Sequence, residues 1–294
     1  MEERKTNLKQ AEARINVTGI VSEKDLKMET VDGKTKITGT VTVKTNDTNF
    51  IRFRVNAAEK TKVGGDNPVF TGLKTVMDEY KTIAEVGEDE ADKVHVNGEI
   101  RPYPGRNGEE VISYNASFFK RIINEAEFEP KAEFALETFV SAIVPEYKKV
   151  DGEMEETERK IIKGWVPTYN GIEPVEIVVG EDEADGVEDN IEPGMTVRFF
   201  GNVINATIIK KRTIPVVIGK PREEIKKTFV NQLVLTGAEA PYEDERAYDK
   251  ATIDAAIQER ENRLAEQRSK KTSNATTNSR PSAASYGRSA AGLF

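Results

Sequence analysis

The segment Ile37-Thr38-Gly39-Thr40-Val41 reappears as Ile162-Lys163-Gly164-Trp165-Val166, and other strand-like segments recur around it in the same order. A chain written this way is expected to fold as one small β-domain made twice. Thr18-Gly19-Ile20-Val21 aligns with Ser141-Ala142-Ile143-Val144, and Phe50 to Val55 with Pro174 to Val179. Val94 to Ile100, with Gly98, aligns with Val197 to Val203, with Gly201. Asn115 to Lys120 aligns with Asn205 to Lys210. The offsets are nearly level at first and drop at two places: the connection holding Leu73 to Val86 and the loop Pro102 to Glu110. Duplicated β-domains keep their strands and change their loops in this manner.

Within the first copy, alternation marks strands at Ile15 to Ser22, Lys36 to Lys44 and Asn49 to Asn56. A helical spacing of Leu73, Val76, Met77, Tyr80, Ile83 and Ala84 follows, then strands at Asp92 to Arg101 and Glu110 to Ile122. The second copy reads as Phe139 to Pro145, Lys160 to Thr168, Glu173 to Gly180, a short helix over Glu183 to Ile191, Met195 to Val203 and Asn205 to Gly219. Five strands with a helix between the third and fourth is the order of an OB-fold, a partly open five-stranded barrel. A plain β-sandwich is the competing architecture. It accounts less well for the helix position and for glycines that let barrel strands bend.

The expected fold is mainly β: two tandem OB-fold-like five-stranded barrels, a C-terminal helix and a disordered tail. The units are an N-terminal extension over 1–14, OB-like domains over 15–128 and 129–219, a strand and charged helix over 220–271, and a disordered basic tail over 272–294. Thr228 to Leu235 is read as an added strand beside the second barrel, and Asp249 to Lys271 as a helix with a narrow Ile253, Ile257 and Leu264 stripe. From Gln267 onward there is no acidic residue, and the composition is too polar for a core.

At 294 residues the chain is long enough for two domains, each with its own core. It has no cysteine, which excludes disulfides and thiolate metal sites and fits a reducing compartment, the cytoplasm. No apolar run approaches the roughly 18 residues of a membrane span, so no membrane partner is expected. The formal net charge is −8, but the acids crowd into loops such as Glu88-Asp89-Glu90, Glu153 to Glu158 and Glu181 to Asp189. Local basic surface matters more for binding than the sum.

OB-folds bind single strands or oligosaccharides on the face of strands two and three and in the loops joining strands one to two and four to five. On strand three, Ile51, Phe53 and Val55 form the core side, leaving Phe50, Arg52 and Arg54 together on the other. Guanidiniums suit phosphates and a ring accepts any base; the plainer reading is a solvated face. The hairpin beyond strand four brings Arg101, Tyr103 and Arg106, and strand five ends at Lys120. In strand five Tyr114, Ala116 and Phe118 alternate against Ser113, Asn115, Ser117 and Phe119; the two phenylalanines cannot face one core.

In the second copy Lys163 and Trp165 lie opposite Ile162, Gly164 and Val166, with Tyr169 at the following turn. Arg198 and Phe200 oppose Val197, Phe199 and Gly201, and Lys210 and Lys211 close the candidate set. Trp165 could equally be an interface residue, since aromatics dominate such contacts. Catalysis finds no constellation: His95 is the sole histidine, and the glycines fit neither a P-loop nor a dinucleotide fingerprint. The chain is read as a non-enzyme without cofactor or metal.

With these residues in place the chain resembles single-stranded DNA-binding proteins with tandem OB-folds, of a bacteriophage or mobile-element type. The resemblance rests on the Ile37/Gly39 and Ile162/Gly164 segments, the Val94/Gly98 and Val197/Gly201 segments and the terminal Phe294, and covers about Ile15 to Gly219. It implies sequence-tolerant binding of single-stranded DNA in replication or recombination. It also implies replication or recombination proteins as partners of the C-terminal tail. The tail departs from the familiar bacterial pattern, being basic before Gly292-Leu293-Phe294 where those are acidic. A scaffold or virion component using the same barrels for protein contacts is the second class of reading, and RNA or oligosaccharide binding the third.

Overall fold

Ile15, Val17 and Val21 bury one side of a long strand, β1 (Ala13–Val31), which continues past a bulge at Ser22 as far as Asp32-Gly33. Those two residues take positive φ, 52° and 70°, as a two-residue hairpin turn requires, and return the chain as β2 (Lys34–Lys44). The computed structural model describes residues 8–105, 110–150, 153–214, 222–243 and 245–277. At 149–150, 208–214, 222–228 and 270–277 it describes backbone alone. Arg106 lies outside the described residues; of the tail over 272–294 expected to be disordered, 272–277 continue the C-terminal helix and 278–294 lie outside the described residues.

β3 (Phe50–Ala58) follows, then α1 (Pro68–Glu79), which Asn67 caps by accepting the Val69 N–H and which Pro68 begins. Its Phe70, Leu73 and Val76 are buried on one face. After α2 (Ile83–Val86) come β4 (Lys93–Pro104) and β5 (Glu110–Arg121). β1 pairs with β2 and β4, β2 with β3, β3 in parallel with β5, and β5 with β4, so the five strands close on themselves. Closure removes the free edges that would template aggregation.

The second half repeats this. β6 (Lys131–Val150), β7 (Glu153–Thr168), β8 (Gly171–Val179), α3 (Glu181–Asn190), β9 (Thr196–Ile214) and β10 (Arg222–Ala238) close in the same order, with β8 and β10 parallel. The architecture is therefore mainly β: two OB-fold-like barrels followed by a C-terminal helix, α4 (Lys250–Thr277).

The expected fifth strand of the second copy is not where Asn205 to Gly219 was read. Thr196 to Ile214 is one continuous strand, since nothing between Val203 and Asn205 can turn the chain, and the fifth strand is β10. The segment expected to lie beside the barrel is thus part of it. Parallel partners fix the true equivalence: Phe53 faces Tyr114 in the first barrel and Ile177 faces Leu233 in the second.

Two further alignments are four residues out. Val21 pairs with Val43 just before a bulge, and Val140 pairs with Gly164 just before its counterpart. Ser141 therefore corresponds to Ser22 rather than Thr18, and Gly164 to Val43 rather than Gly39. An even slip keeps every side chain on its own face, so alternation could not reveal it. The glycines misled for a physical reason. A Cβ on Gly19 would collide with Lys44 and Val43, and one on Gly164 with Thr138 and Phe139. Each crossing holds one glycine against one side chain, and the glycine sits on opposite strands in the two barrels.

Bulges also answer the two phenylalanines of β5. The register shifts between Asn97 and Gly98, Ser117 is the extra residue, and Phe119 turns inward while Phe118 turns out. The placement of Phe118 beside Tyr114 and Ala116 on one face is corrected accordingly.

β1 and β6 also pair with each other, from Ala13 opposite Leu136 to Thr18 opposite Lys131. By the equivalences above, Ile15 meets its own counterpart Phe134 at the centre, so the ladder has an approximate two-fold symmetry. It is an isologous contact inside one chain. Around it, Asn49 donates to the Val203 carbonyl (3.0 Å) and accepts from the Asn205 N–H (2.7 Å). The Tyr114 hydroxyl meets Asn231 Oδ1 (2.9 Å), and Arg198 holds Glu12 (3.0 Å) and Glu239 (2.8 Å).

Candidate functional site

The outward side of β3 alternates as the sequence dictates: Ile51, Phe53 and Val55 are buried, and Arg52 and Arg54 are exposed. Thr40 on β2 presents its hydroxyl beside them and accepts from Arg52 (3.2 Å). Arg54 donates to the Tyr103 hydroxyl (2.9 Å), with its guanidinium 5.1 Å from the Tyr103 ring centre. Neither arginine is paired with an acid among the described residues. Their bonds to neutral hydroxyls orient them and leave their charge available to an anion.

Thr40, Arg54 and Tyr103 border a groove of about 900 Å³ running over β2, β3, β4 and β5 of the first barrel. Its far wall is the β7–β8 turn of the second barrel, Pro167 to Asn170, where Tyr169 is 84% exposed. An adjoining space of about 410 Å³ contains Arg52, Arg54 and Tyr103 and reaches Asn205 and Asn231 of the second barrel. The floor is neutral and polar, with Asn56, Asn97, Asn115 and Ser117. Glu99 and Glu173 also line it, and Arg101 is bound to Glu99 through two nitrogens (2.9 and 2.7 Å).

The structure thus brings together Arg52, Arg54, Arg101, Tyr103 and Tyr169 from the expected set. Phe50 is half-buried at the start of β3, opposite Lys44. Lys120 is exposed near the end of β5, opposite His95 on β4, and does not border the groove. Arg106 lies outside the described residues. Of Lys210 and Lys211 the backbone alone is described, in the long β9–β10 ribbon, opposite Lys226 and Ile225.

The second-barrel residues are engaged within the chain. Lys163 faces Glu176 (3.5 Å), and Arg198 is held by Glu12 and Glu239. Trp165 is half-buried under Arg260 of α4, whose guanidinium is 5.7 Å from its ring centre. Phe200 lies on Gly237, where any Cβ would strike its ring. Helix α4 is fixed by Ile253 and Ala256, both buried, and by Arg260 and Arg263 on the carboxylate of buried Glu173 (2.8 and 3.1 Å).

The sequence reading missed Thr40, Asn115 and Asn170 as groove residues. Alternation against Val41 marks Thr40 as outward, but a hydroxyl carries no signal of its own. Arg198 holds the Glu12 carboxyl below the usual carboxylate range, chiefly through their hydrogen bond. Burial pushes the Glu110 carboxyl up, and Glu176 and Glu173 of the second barrel push it further while Arg260 opposes them. Glu110 begins β5, so the β4–β5 hairpin reaches into the field of the second barrel. Burial likewise pushes the Tyr114 phenol up. Among the described residues no three His, Cys, Asp or Glu gather as a metal site, and no helix is long and apolar enough to cross a membrane.

Fold and site together define a two-barrel β protein with a polar, tyrosine-edged groove at the seam that Arg54 and Arg101 line together with Glu99 and Glu173. More particularly, residues 12–271 match the YorF family, and the chain belongs to it. Among solved structures it is similar to the wild-type single-stranded DNA binding protein from Thermus aquaticus, at 10% identity and a TM-score of 0.44, over 80% of this chain and 96% of that one. A deletion variant of the same Thermus aquaticus protein gives 10% identity and a TM-score of 0.46, over 80% and 97%. Comparison with curated proteins gives no match.

Proposed function

We propose that the chain binds single-stranded DNA without regard to sequence, in replication or recombination, with the groove of the first barrel as its contact surface. The observation that carries this reading is the pair Arg52 and Arg54, side by side on β3, oriented by Thr40 and Tyr103 and unpaired with acid among the described residues. Two guanidiniums about two strand residues apart suit successive phosphates of a flexible strand, and Tyr103 and Tyr169 offer ring faces to unstacked bases. Ring faces do not discriminate among bases, so the binding is tolerant of sequence.

A scaffold role has less support, because Trp165, the largest aromatic it would use, is engaged within the chain by Arg260. Docking of replication proteins on Gly292-Leu293-Phe294 belongs to the same proposal and rests on sequence alone. The test is fluorescence polarisation of labelled oligo-dT with unlabelled duplex of equal length as competitor. Saturable binding that duplex does not displace supports the reading. Displacement by duplex, or no binding, removes it.

A further inference from the structure

The strand pairings give each groove residue of the first barrel a counterpart in the second, and the counterparts have a different chemistry. Phe53 pairs with Tyr114 and Ile177 with Leu233, which sets Arg52 against Glu176 and Arg54 against Val178. Ile15 pairs with Gly98 and Phe134 with Gly201, which sets Arg101 against Ile204 and Tyr103 against Ala206. Every one of these exchanges removes a cation or a ring from the second barrel. Val178 and Ala206 are moreover buried, at 5% and 8% exposure.

The two-fold arrangement explains what covers them. The β2–β3 turn of the first barrel sits on β9, with Asn49 bonded to Val203 and Asn205. The symmetry-related turn, β7–β8, lies at the groove instead: β8 comes against β4 of the first barrel, the Pro167 carbonyl accepts from the Ala11 N–H (2.9 Å), and the groove runs beside that contact. One side of the seam is closed by a buried amide; the other carries the groove, edged by Tyr103 and Tyr169.

We infer that the chain has one single-strand site rather than two. The face of the first barrel binds the strand and the second barrel supplies its opposite wall, with Tyr169 as a stacking residue. This rests on the single-stranded DNA reading above. Two like barrels favour two sites, yet on the second face Glu176 engages Lys163 (3.5 Å), so that no free cation stands where Arg52 stands in the first, and a buried Val178 offers phosphate no donor.

The experiment is isothermal titration of the full chain with oligo-dT of about 8 nucleotides, within the roughly 4–16 that one barrel covers. One oligonucleotide per chain is expected. Tyr169→Ala is expected to weaken binding about 5- to 100-fold, the range of one base–aromatic stack, with an unchanged circular dichroism spectrum because Tyr169 is exposed. Lys163→Ala, on the second barrel's own face, is expected to leave affinity unchanged. Two oligonucleotides per chain, or full affinity in Tyr169→Ala, would overturn the single composite site while leaving single-strand binding intact. Absence of any binding would overturn both.

Discussion

Asn49 is 8% exposed and both ends of its amide are engaged: Oδ1 accepts from Asn205, and Nδ2 donates to Val203 and to Thr45. Truncation would leave a buried N–H and a buried carbonyl at the seam without partners, each costing about 1–3 kcal/mol. Asn49→Ala is therefore expected to lower stability by about 2–6 kcal/mol. Denaturant unfolding followed by circular dichroism measures this, and a loss below about 1 kcal/mol would mean that the two barrels are held without it. At this scale the sequence was legible where alternation speaks. Arg52 and Arg54 are legible as outward neighbours because period two fixes the face, whereas Tyr103, expected in the hairpin beyond strand four, lies within β4. It was silent where meaning depends on a distant partner: Asn49 reads only as the first residue of strand three, and Trp165 gives no sign of the arginine of α4 above it.

The elements stand on two contacts, each with its own test. The β1–β6 ladder is flanked by Glu12 and Arg198, whose hydrogen bond depresses the Glu12 carboxyl. A carboxylate whose folded pKa is depressed contributes stability that is present above its unfolded value, about 4.3, and is lost as pH falls through the folded value. Glu12→Gln is expected to flatten that acid limb, read as the difference in unfolding midpoint between about pH 6 and pH 3; an unchanged limb would assign the acid sensitivity elsewhere. The second contact is α4 on the second barrel. Arg260→Ala leaves buried Glu173 with Arg263 alone and is expected to cost about 2–4 kcal/mol. Hydrogen exchange over 250–266 should then rise toward that of a frayed helix, and unchanged protection would show that Ile253 and Ala256 suffice. Elements were legible in the sequence by existence and class, and less so by register. A slip of four in β1 and β2 preserves the inside–outside pattern, and the fifth strand was missed because β9 runs unbroken through the place where a turn was expected.

For the whole molecule, two barrels of one connectivity are joined by an internal two-fold ladder and differ in charge where it matters. The first carries Arg52 and Arg54 on its open face; the second carries Glu176 and Val178 there, with one side of its face against the first barrel and its β7–β8 end under α4. A net charge of −8 is compatible with an anionic ligand under this arrangement, since the acid clusters expected in loops lie away from the groove, Glu153 to Glu158 at the start of β7 and Glu181 to Asp189 in α3. The exchange of Arg52 for Glu176 and of Arg54 for Val178 is legible in the alignment of Phe50 to Val55 with Pro174 to Val179; which face lines the groove at the seam is not, because that depends on how the two barrels meet. The measurement that tests the central claim most directly is the salt dependence of oligo-dT affinity, for the intact chain and for Arg52→Ala/Arg54→Ala. Two lost phosphate contacts should reduce the slope of log K against log salt by about 1.4, and two charge-assisted bonds should reduce affinity at low salt by about 100-fold. Equal slopes and equal affinities in the two proteins would contradict the account, because the groove it rests on would then carry no phosphate.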